Sequence, residues 1–103
     1  MEKSRKFKIN VRCSDVIDEC ERQFGYERKA LRAKTKDPTV TKGRHTAVYL
    51  CRIITGRSYP QIAIAIGYKD HTTCMYACKL APVAMKDKEW AEKAKAVMEA
   101  FYA

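Results

Sequence analysis

Two histidines, His45 and His71, have the side chains that titrate closest to neutral pH and are the obvious candidates for acid-base chemistry. Asp70 precedes His71, but adjacent residues of a helix do not face one another, so the pair indicates a catalytic dyad only weakly. The sequence contains none of the motifs of phosphate-binding loops, zinc proteases or serine hydrolases. We therefore expect a protein that is not an enzyme, with no cofactor and no nucleotide bound.

The five cysteines are an odd number and include no CxxC pair, which argues against a disulfide framework. Cys74 and Cys78 are four residues apart and would share one face of a helix. A zinc-bearing regulator is one interpretation, and it needs two further ligands. The candidates are Cys13, Cys20, His45 and His71. We favour the other interpretation, in which the thiols are small buried side chains in a reducing cytoplasm.

The charge of the chain points to a polyanionic partner. Its 103 residues include 21 Lys and Arg against 12 Asp and Glu, a net charge of +9, and residues 25–57 alone carry +7. Nucleic acid is the first partner such a balance suggests. The sequence has no apolar run of the ~18 residues that a membrane span needs and no signal peptide in its first twelve residues. We expect a cytoplasmic protein without a membrane partner.

Apolar spacing and capping residues predict an all-α protein. Ser14 is the expected N-cap of the first helix, and the stretch Lys34–Gly43, rich in turn formers and cations, is expected to be a basic loop. Pro82 is expected to stop the fourth helix at about Leu80, because the residue before a proline avoids the helical region. The predicted helices cover residues 14–24, 44–55, 58–66, 70–80 and 86–102.

Two of these helices have the spacing of a helix-turn-helix. Ser58 and Gln61 form a capping box at the start of the first, and Asp70 caps the second after the short turn Gly67-Tyr68-Lys69. The second helix of such a unit can enter the major groove of DNA. On the preceding helix, His45 and Arg52 are seven residues apart and so point within about 20° of each other, with Arg44 adjoining them.

The run Gly67 to Thr73, followed by Ala77 and Cys78, resembles a known signature. In the C-terminal DNA-binding domain (domain IV) of the bacterial replication initiator DnaA, a glycine, a basic residue and Asp-His-Thr-Thr open the recognition helix. The likeness extends upstream through residues 58–62 and 44–55 and, more faintly, residues 9–35, about two thirds of the chain. The resemblance implies a Trp-repressor-like helix-turn-helix bundle that binds double-stranded DNA.

The resemblance also implies which residues contact DNA. Asp70 to Thr73 would meet base edges or nearby phosphates, Lys36 would take the place of a minor-groove arginine, and Arg52 would contact a phosphate. Lys69 stands where the family commonly has arginine, and residues 80–82 depart from its usual helix continuation. The predicted DNA-binding residues are Lys36, Arg44, His45, Arg52, Ser58, Lys69, Asp70, His71, Thr72 and Thr73.

The function that follows is sequence-specific binding to DnaA-box-like sites, in control of replication initiation or of transcription, by a nucleoid-associated protein. We expect one DNA-binding domain over residues 1–103, with the helix-turn-helix at about 58–80 and a packing helix at about 86–102. The initiator's ATPase domain has no counterpart here, so the chain is either a free-standing relative or an excised domain. The alternative is a protein-interaction module on which the helix of Trp90 recruits a replication protein and DNA contact is non-specific.

Overall fold

Five α-helices and one 3-10 turn, Ala30–Arg32, build the computed structural model, which describes residues 6–103. In that part of the chain there is no β-strand, which confirms the all-α prediction. None of its helices is long and apolar enough to cross a membrane. The helices are α1 (Cys13–Phe24), α2 (Pro38–Thr55), α3 (Tyr59–Ile66), α4 (His71–Ala84) and α5 (Lys88–Ala100).

Helix α2 lies at the centre and contacts each of the other four helices. Apolar side chains recur on each helix at intervals of three and four residues, and these are the side chains that become buried. Full burial of each valine, leucine or isoleucine contributes about 1.5–3 kcal/mol. Completely or almost completely buried core residues include Val16, Ile17, Val48, Leu50, Ile62, Ile66, Cys74, Ala77 and Val97.

Helix α2 begins six residues earlier than the sequence predicts. The segment expected to be a basic loop up to Gly43 is helical from Pro38, and the carboxylate of Asp37 accepts a 2.9 Å hydrogen bond from the backbone N–H of Thr39. The hydroxyl of Tyr26 also donates to the carbonyl of Thr39. The basic loop is therefore shorter and ends at Asp37. Helix α1 likewise begins at Cys13, one residue before the predicted N-cap.

The prediction that Pro82 stops α4 at about Leu80 is wrong, because the helix continues to Ala84. A proline within a helix removes one backbone hydrogen bond and crowds the preceding turn. Here Pro82 is on the exposed side, and Ala81 beside it is completely buried. The packing of Ala81 keeps the last turn on the core, and the N–H of Met85 still donates to the carbonyl of Ala81 at 3.1 Å.

Helix α5 closes one side of the bundle against α1 and α2. The ring of Trp90 packs on Phe24 with ring centroids 4.3 Å apart, and Val97 is fully buried. After α5, the chain end lies beside its start: Phe7 and Tyr102 form one antiparallel bridge, and their rings stack at 4.9 Å.

Candidate nucleic-acid interface

The helix-turn-helix consists of α3, a four-residue turn and α4. Gly67 ends α3 in the left-handed conformation, with φ at 91°, and the N–H groups of Gly67 and Tyr68 both donate to the carbonyl of Ala63. Glycine adopts this conformation without the steric cost of a side chain. Buried residues of α3 and α4 then hold the two helices together, which leaves the opposite side of α4 facing outward.

The first turn of α4 presents polar side chains to solvent. One carboxylate oxygen of Asp70 accepts a 2.9 Å hydrogen bond from the backbone N–H of Thr72, as an N-cap does. This bond lowers the pKa of Asp70. The same oxygen is 4.0 Å from Nδ1 of His71, whose side chain is 53% exposed. Thr72 is exposed and Thr73 is half-buried, so this turn offers an imidazole and two hydroxyl groups.

The exposed face of α4 continues beyond its first turn. Cys74, Ala77 and Ala81 point into the core, and Cys78 is half-buried beside them. The spacing of three and four residues between the buried positions is that of a helix with one face on the core. The exposed residues of α4 are His71, Thr72, Met75, Tyr76, Lys79, Pro82 and Val83.

A groove runs between the start of α2 and the end of α4. Lys36 and His45 line one side of it, and Leu80 and Val83 line the other. The rings of His45 and Tyr76 meet edge to face, with centroids 6.3 Å apart. Partial burial, and then the charge of the adjacent arginine, lower the pKa of His45. The structure thus brings two predicted DNA-binding residues next to the exposed face of α4.

The guanidinium of Arg44 is turned toward the chain's own backbone. Its Nε donates to the carbonyl of Leu31 at 2.9 Å, its Nη1 to that of Thr35 at 3.2 Å, and its Nη2 to that of Ala33. Arginine has five N–H donors. Two of the five are therefore left over for another acceptor, and the first role of Arg44 in the fold is to hold the segment before α2.

The side chain of Arg52, from the last turn of α2, lies near the start of α3, where Ser58 caps the helix. Nη1 of Arg52 donates to the carbonyl of Arg57 at 2.6 Å, and its guanidinium lies 4.6 Å from the ring centroid of Tyr59. Ser58 and Gln61 form the predicted capping box, in which each residue's side chain accepts a hydrogen bond from the other's backbone N–H. A basic side chain and an exposed hydroxyl therefore flank the first helix of the helix-turn-helix.

The ten predicted residues form three groups: Lys36, Arg44 and His45 at the loop and start of α2, Arg52 with Ser58 at the start of α3, and residues 69–73 at the start of α4. Local capping or helix spacing fixes the positions of all these residues except Lys36, which lies in the basic loop. That these residues contact DNA stays a prediction.

Glu21 on α1 is not among the predicted residues, and it is only 3% exposed. Its carboxylate accepts the backbone N–H of Lys29 at 2.9 Å and that of Leu31 at 3.0 Å. The burial of Glu21 could have been predicted, because it follows Ile17 by four residues and so falls on the apolar stripe of its helix. A carboxylate in a core position requires hydrogen-bond partners.

The cysteines are all free thiols, and four of the five are buried. Hydrogen bonding to the neighbouring Cys51 is the largest of the effects that lower the pKa of Cys13 to about 6. Burial raises the pKa of Cys74 to about 11. Across residues 6–103 no three His, Cys, Asp or Glu side chains gather in an arrangement that could hold a metal ion.

Residues 13–80 match the family model described as the bacterial DnaA protein helix-turn-helix. Related proteins named chromosomal replication initiator protein DnaA come from Pelobacter propionicus (38% identical over 65 residues, 63% of this chain), Clavibacter sepedonicus (35% over 74 residues, 72%) and Xanthobacter autotrophicus (32% over 84 residues, 81%). The chain spans only 14%, 16% and 17% of the length of these three relatives.

Proposed function

The chain belongs to the family of bacterial DnaA helix-turn-helix domains, and we propose that it binds double-stranded DNA in a sequence-specific way, at DnaA-box-like sites. The matched region ends at residue 80 and includes α3, the turn and all but the last four residues of α4. We propose that residues 1–103 form one DNA-binding domain that binds DNA and catalyses no reaction.

The exposed first turn of α4 carries this proposal. Asp70 satisfies the N–H of Thr72, so the cap holds the backbone of this turn while His71 and Thr72 remain free to face outward. In a major groove, imidazole and threonine carbons suit the methyl group of thymine, and hydroxyls can donate to or accept from base edges. A turn with these side chains is therefore suited to distinguish base pairs.

Basic and hydroxyl side chains beside this turn support phosphate binding. Lys69 is exposed next to the cap, and Arg52, in the last turn of α2, reaches the start of α3 with its side chain. Phosphate contacts fix the register of a protein on a duplex, and base contacts supply the specificity. The proposed interface consists of Lys36, Arg44, His45, Arg52, Ser58, Lys69, Asp70, His71, Thr72 and Thr73.

Control of replication initiation or of transcription is the role we propose for this binding, in the cytoplasm and at the nucleoid. We propose that the bound domain acts by its position on the DNA, where it blocks or recruits other proteins. Replication proteins are the further partners proposed.

Selection of bound duplexes from a random pool tests the proposal. The expected result is enrichment of a short motif like a DnaA box, bound about 10³-fold or more tightly than random duplex at the same salt concentration. Equal binding of all duplexes would contradict sequence-specific binding and would support the alternative of a protein-interaction module with non-specific DNA contact. No duplex binding at physiological salt would contradict both.

A further inference from the structure

Residues 29–35, which we call the strut, lie between α1 and α2 and include Lys34 of the basic loop, with Lys36 directly after them. The strut contains the 3-10 turn and lies over the helix-turn-helix: the carbonyl oxygen of Arg32 is 3.9 Å from the position that a Cβ on Gly67 would take. The strut therefore sets the position of one end of the basic loop relative to the helix-turn-helix.

Side chains of two helices bind the N–H groups and the carbonyl groups of the strut. On one side, the buried carboxylate of Glu21 accepts the N–H groups of Lys29 and Leu31. On the other side, the guanidinium of Arg44 donates to the carbonyls of Leu31, Ala33 and Thr35. Five backbone groups of a seven-residue segment are thus bound by two side chains, one from α1 and one from α2.

The backbone of the strut needs this support. Lys29 has a φ of 68°, in the left-handed region that residues other than glycine, asparagine and aspartate rarely adopt. Glu21 binds the N–H of this same residue. Its negative charge is balanced by Arg32, whose Nη1 lies 3.7 Å from the carboxylate. This ion pair, which Arg32 shares with Asp18 at 3.1 Å, offsets part of the cost of burying the carboxylate.

We propose that Glu21 is a positioning residue for DNA recognition, which acts with Arg44 to fix the strut and thereby the basic loop. This proposal rests on the proposed function. A loop fixed before binding loses less conformational entropy on the duplex than a loose one. On charge alone, the acidic Glu21 should weaken binding to DNA. As a positioning residue it should instead strengthen binding.

Because Glu21 is negatively charged, its replacement separates an electrostatic role from a positioning role. Glu21→Gln raises the net charge from +9 to +10, and electrostatics alone predicts tighter binding to every duplex. We expect instead that affinity for the preferred duplex falls about five- to tenfold, because a loosened loop must be ordered on binding. The measurement is fluorescence anisotropy on the preferred and a random duplex at two salt concentrations.

Glu19→Gln is the matched control, since it makes the same change of charge on the same helix. The carboxylate of Glu19 binds Arg22 and Gln23 within α1, at 2.8 Å each. We expect this variant to bind both duplexes as tightly as the wild-type chain or slightly more so. Equal behaviour of the Glu21 and Glu19 variants would overturn the positioning role. Failure of the wild-type chain to bind any duplex would instead contradict the proposed function.

A second variant and a measurement on the wild-type chain cover the case in which Glu21→Gln does not fold. Glu21→Asp keeps the net charge and shortens the side chain by one methylene, so it should weaken binding to the preferred duplex with little change in salt dependence. In the wild-type chain, hydrogen exchange at the amides of Lys29 and Leu31 should be slow before DNA is added. Amides that exchange freely until the duplex binds would overturn the proposal, because the DNA and not Glu21 would then order the strut.

Discussion

The indole N–H of Trp90 donates a 2.9 Å hydrogen bond to the hydroxyl of Thr46, which ties α5 to the middle of α2. Thr46 is fully buried and its hydroxyl donates in turn to the carbonyl of Lys42 at 3.0 Å. The ammonium of Lys42 lies 4.2 Å from the centroid of the Trp90 ring. Helix α5 is outside the residues that match the family model, yet it supports the half of α2 that carries Arg44 and His45.

Thr46→Val should lower the free energy of unfolding by about 1–3 kcal/mol, the usual cost of an unsatisfied buried polar group. Valine has nearly the shape of threonine but cannot accept the Trp90 N–H. Urea denaturation followed by tryptophan fluorescence measures the change. Thr46→Ser keeps the hydroxyl and should lose less. A valine variant as stable as the wild-type chain would show that this bond contributes nothing.

Gly43→Ala should destabilise the chain, although it lies inside α2. Replacing glycine in a helix by alanine ordinarily stabilises it by about 1 kcal/mol. A Cβ at Gly43 would lie 2.7 Å from ring atoms of Tyr26, whose hydroxyl is held by Thr39. We expect the clash, at the usual overpacking cost of about 1–3 kcal/mol, to exceed this gain and leave a net loss of up to about 2 kcal/mol.

Thermal unfolding in a double-mutant cycle checks the cause. In a Tyr26→Ala background, the same Gly43→Ala change should be neutral or stabilising, because the ring is gone. If Gly43→Ala has the same effect with and without the ring, Tyr26 is not the reason for the glycine.

The stability that the Asp70 cap gives to the folded chain should fall as the pH is lowered. The N–H of Thr72 lowers the pKa of Asp70 below its usual value of about 3.9. A carboxyl group with a lowered pKa stabilises the folded state above the unfolded pKa, and this contribution is lost as the pH falls through the folded pKa. Asp70→Asn caps without titrating.

Thermal unfolding of the wild-type chain and the Asp70→Asn variant between pH 6 and 2.5 measures this effect. The wild-type chain should lose stability relative to the variant once the pH falls below about 4. A constant difference across this range would show that Asp70 does not cap α4 as a carboxylate.

Lys69 and Arg52 should contribute to the salt dependence of DNA binding. Replacing either by alanine should weaken binding to preferred and random duplexes alike, and should reduce the slope of log K against log salt by about one. Lys95→Ala removes the same charge from the exposed side of α5 and is the control, with an unchanged slope expected. Equal slopes for all three variants would place the phosphate-binding surface elsewhere.

The parts of the fold that the sequence predicted are those set by local chemistry. The capping box at Ser58, the turn at Gly67 and the cap at Asp70 each depend on residues within three positions of one another. The start of α2 was missed although the Asp37 cap is local, because the turn formers and cations of residues 34–43 indicated a loop, and the added hydrogen bond from Tyr26 to Thr39 does not follow from spacing. The continuation past Pro82 was missed because packing of α4 decides it.

In the candidate site, too, the sequence predicted what local chemistry sets and missed what distant contacts set. Residues 69–73 were predicted as a group because they follow one another at a helix start. The arrangement of the basic loop was not, because the strut is fixed by Glu21 from α1 and Arg44 from α2. The hydrogen bonds of Glu21 and of Arg44 to the strut do not follow from the spacing of residues. An acidic residue on an apolar stripe indicates only that it has a buried partner.

Binding of His71→Ala and Thr72→Ala variants to the preferred and random duplexes tests the central claim most directly. Both side chains are exposed, so the variants should fold, as circular dichroism can verify. Each variant should lose about 1–3 kcal/mol on the preferred duplex, the usual value of a base contact, and bind random duplex as the wild-type chain does. Equal weakening on both duplexes, or no weakening on either, would contradict base recognition by the first turn of α4.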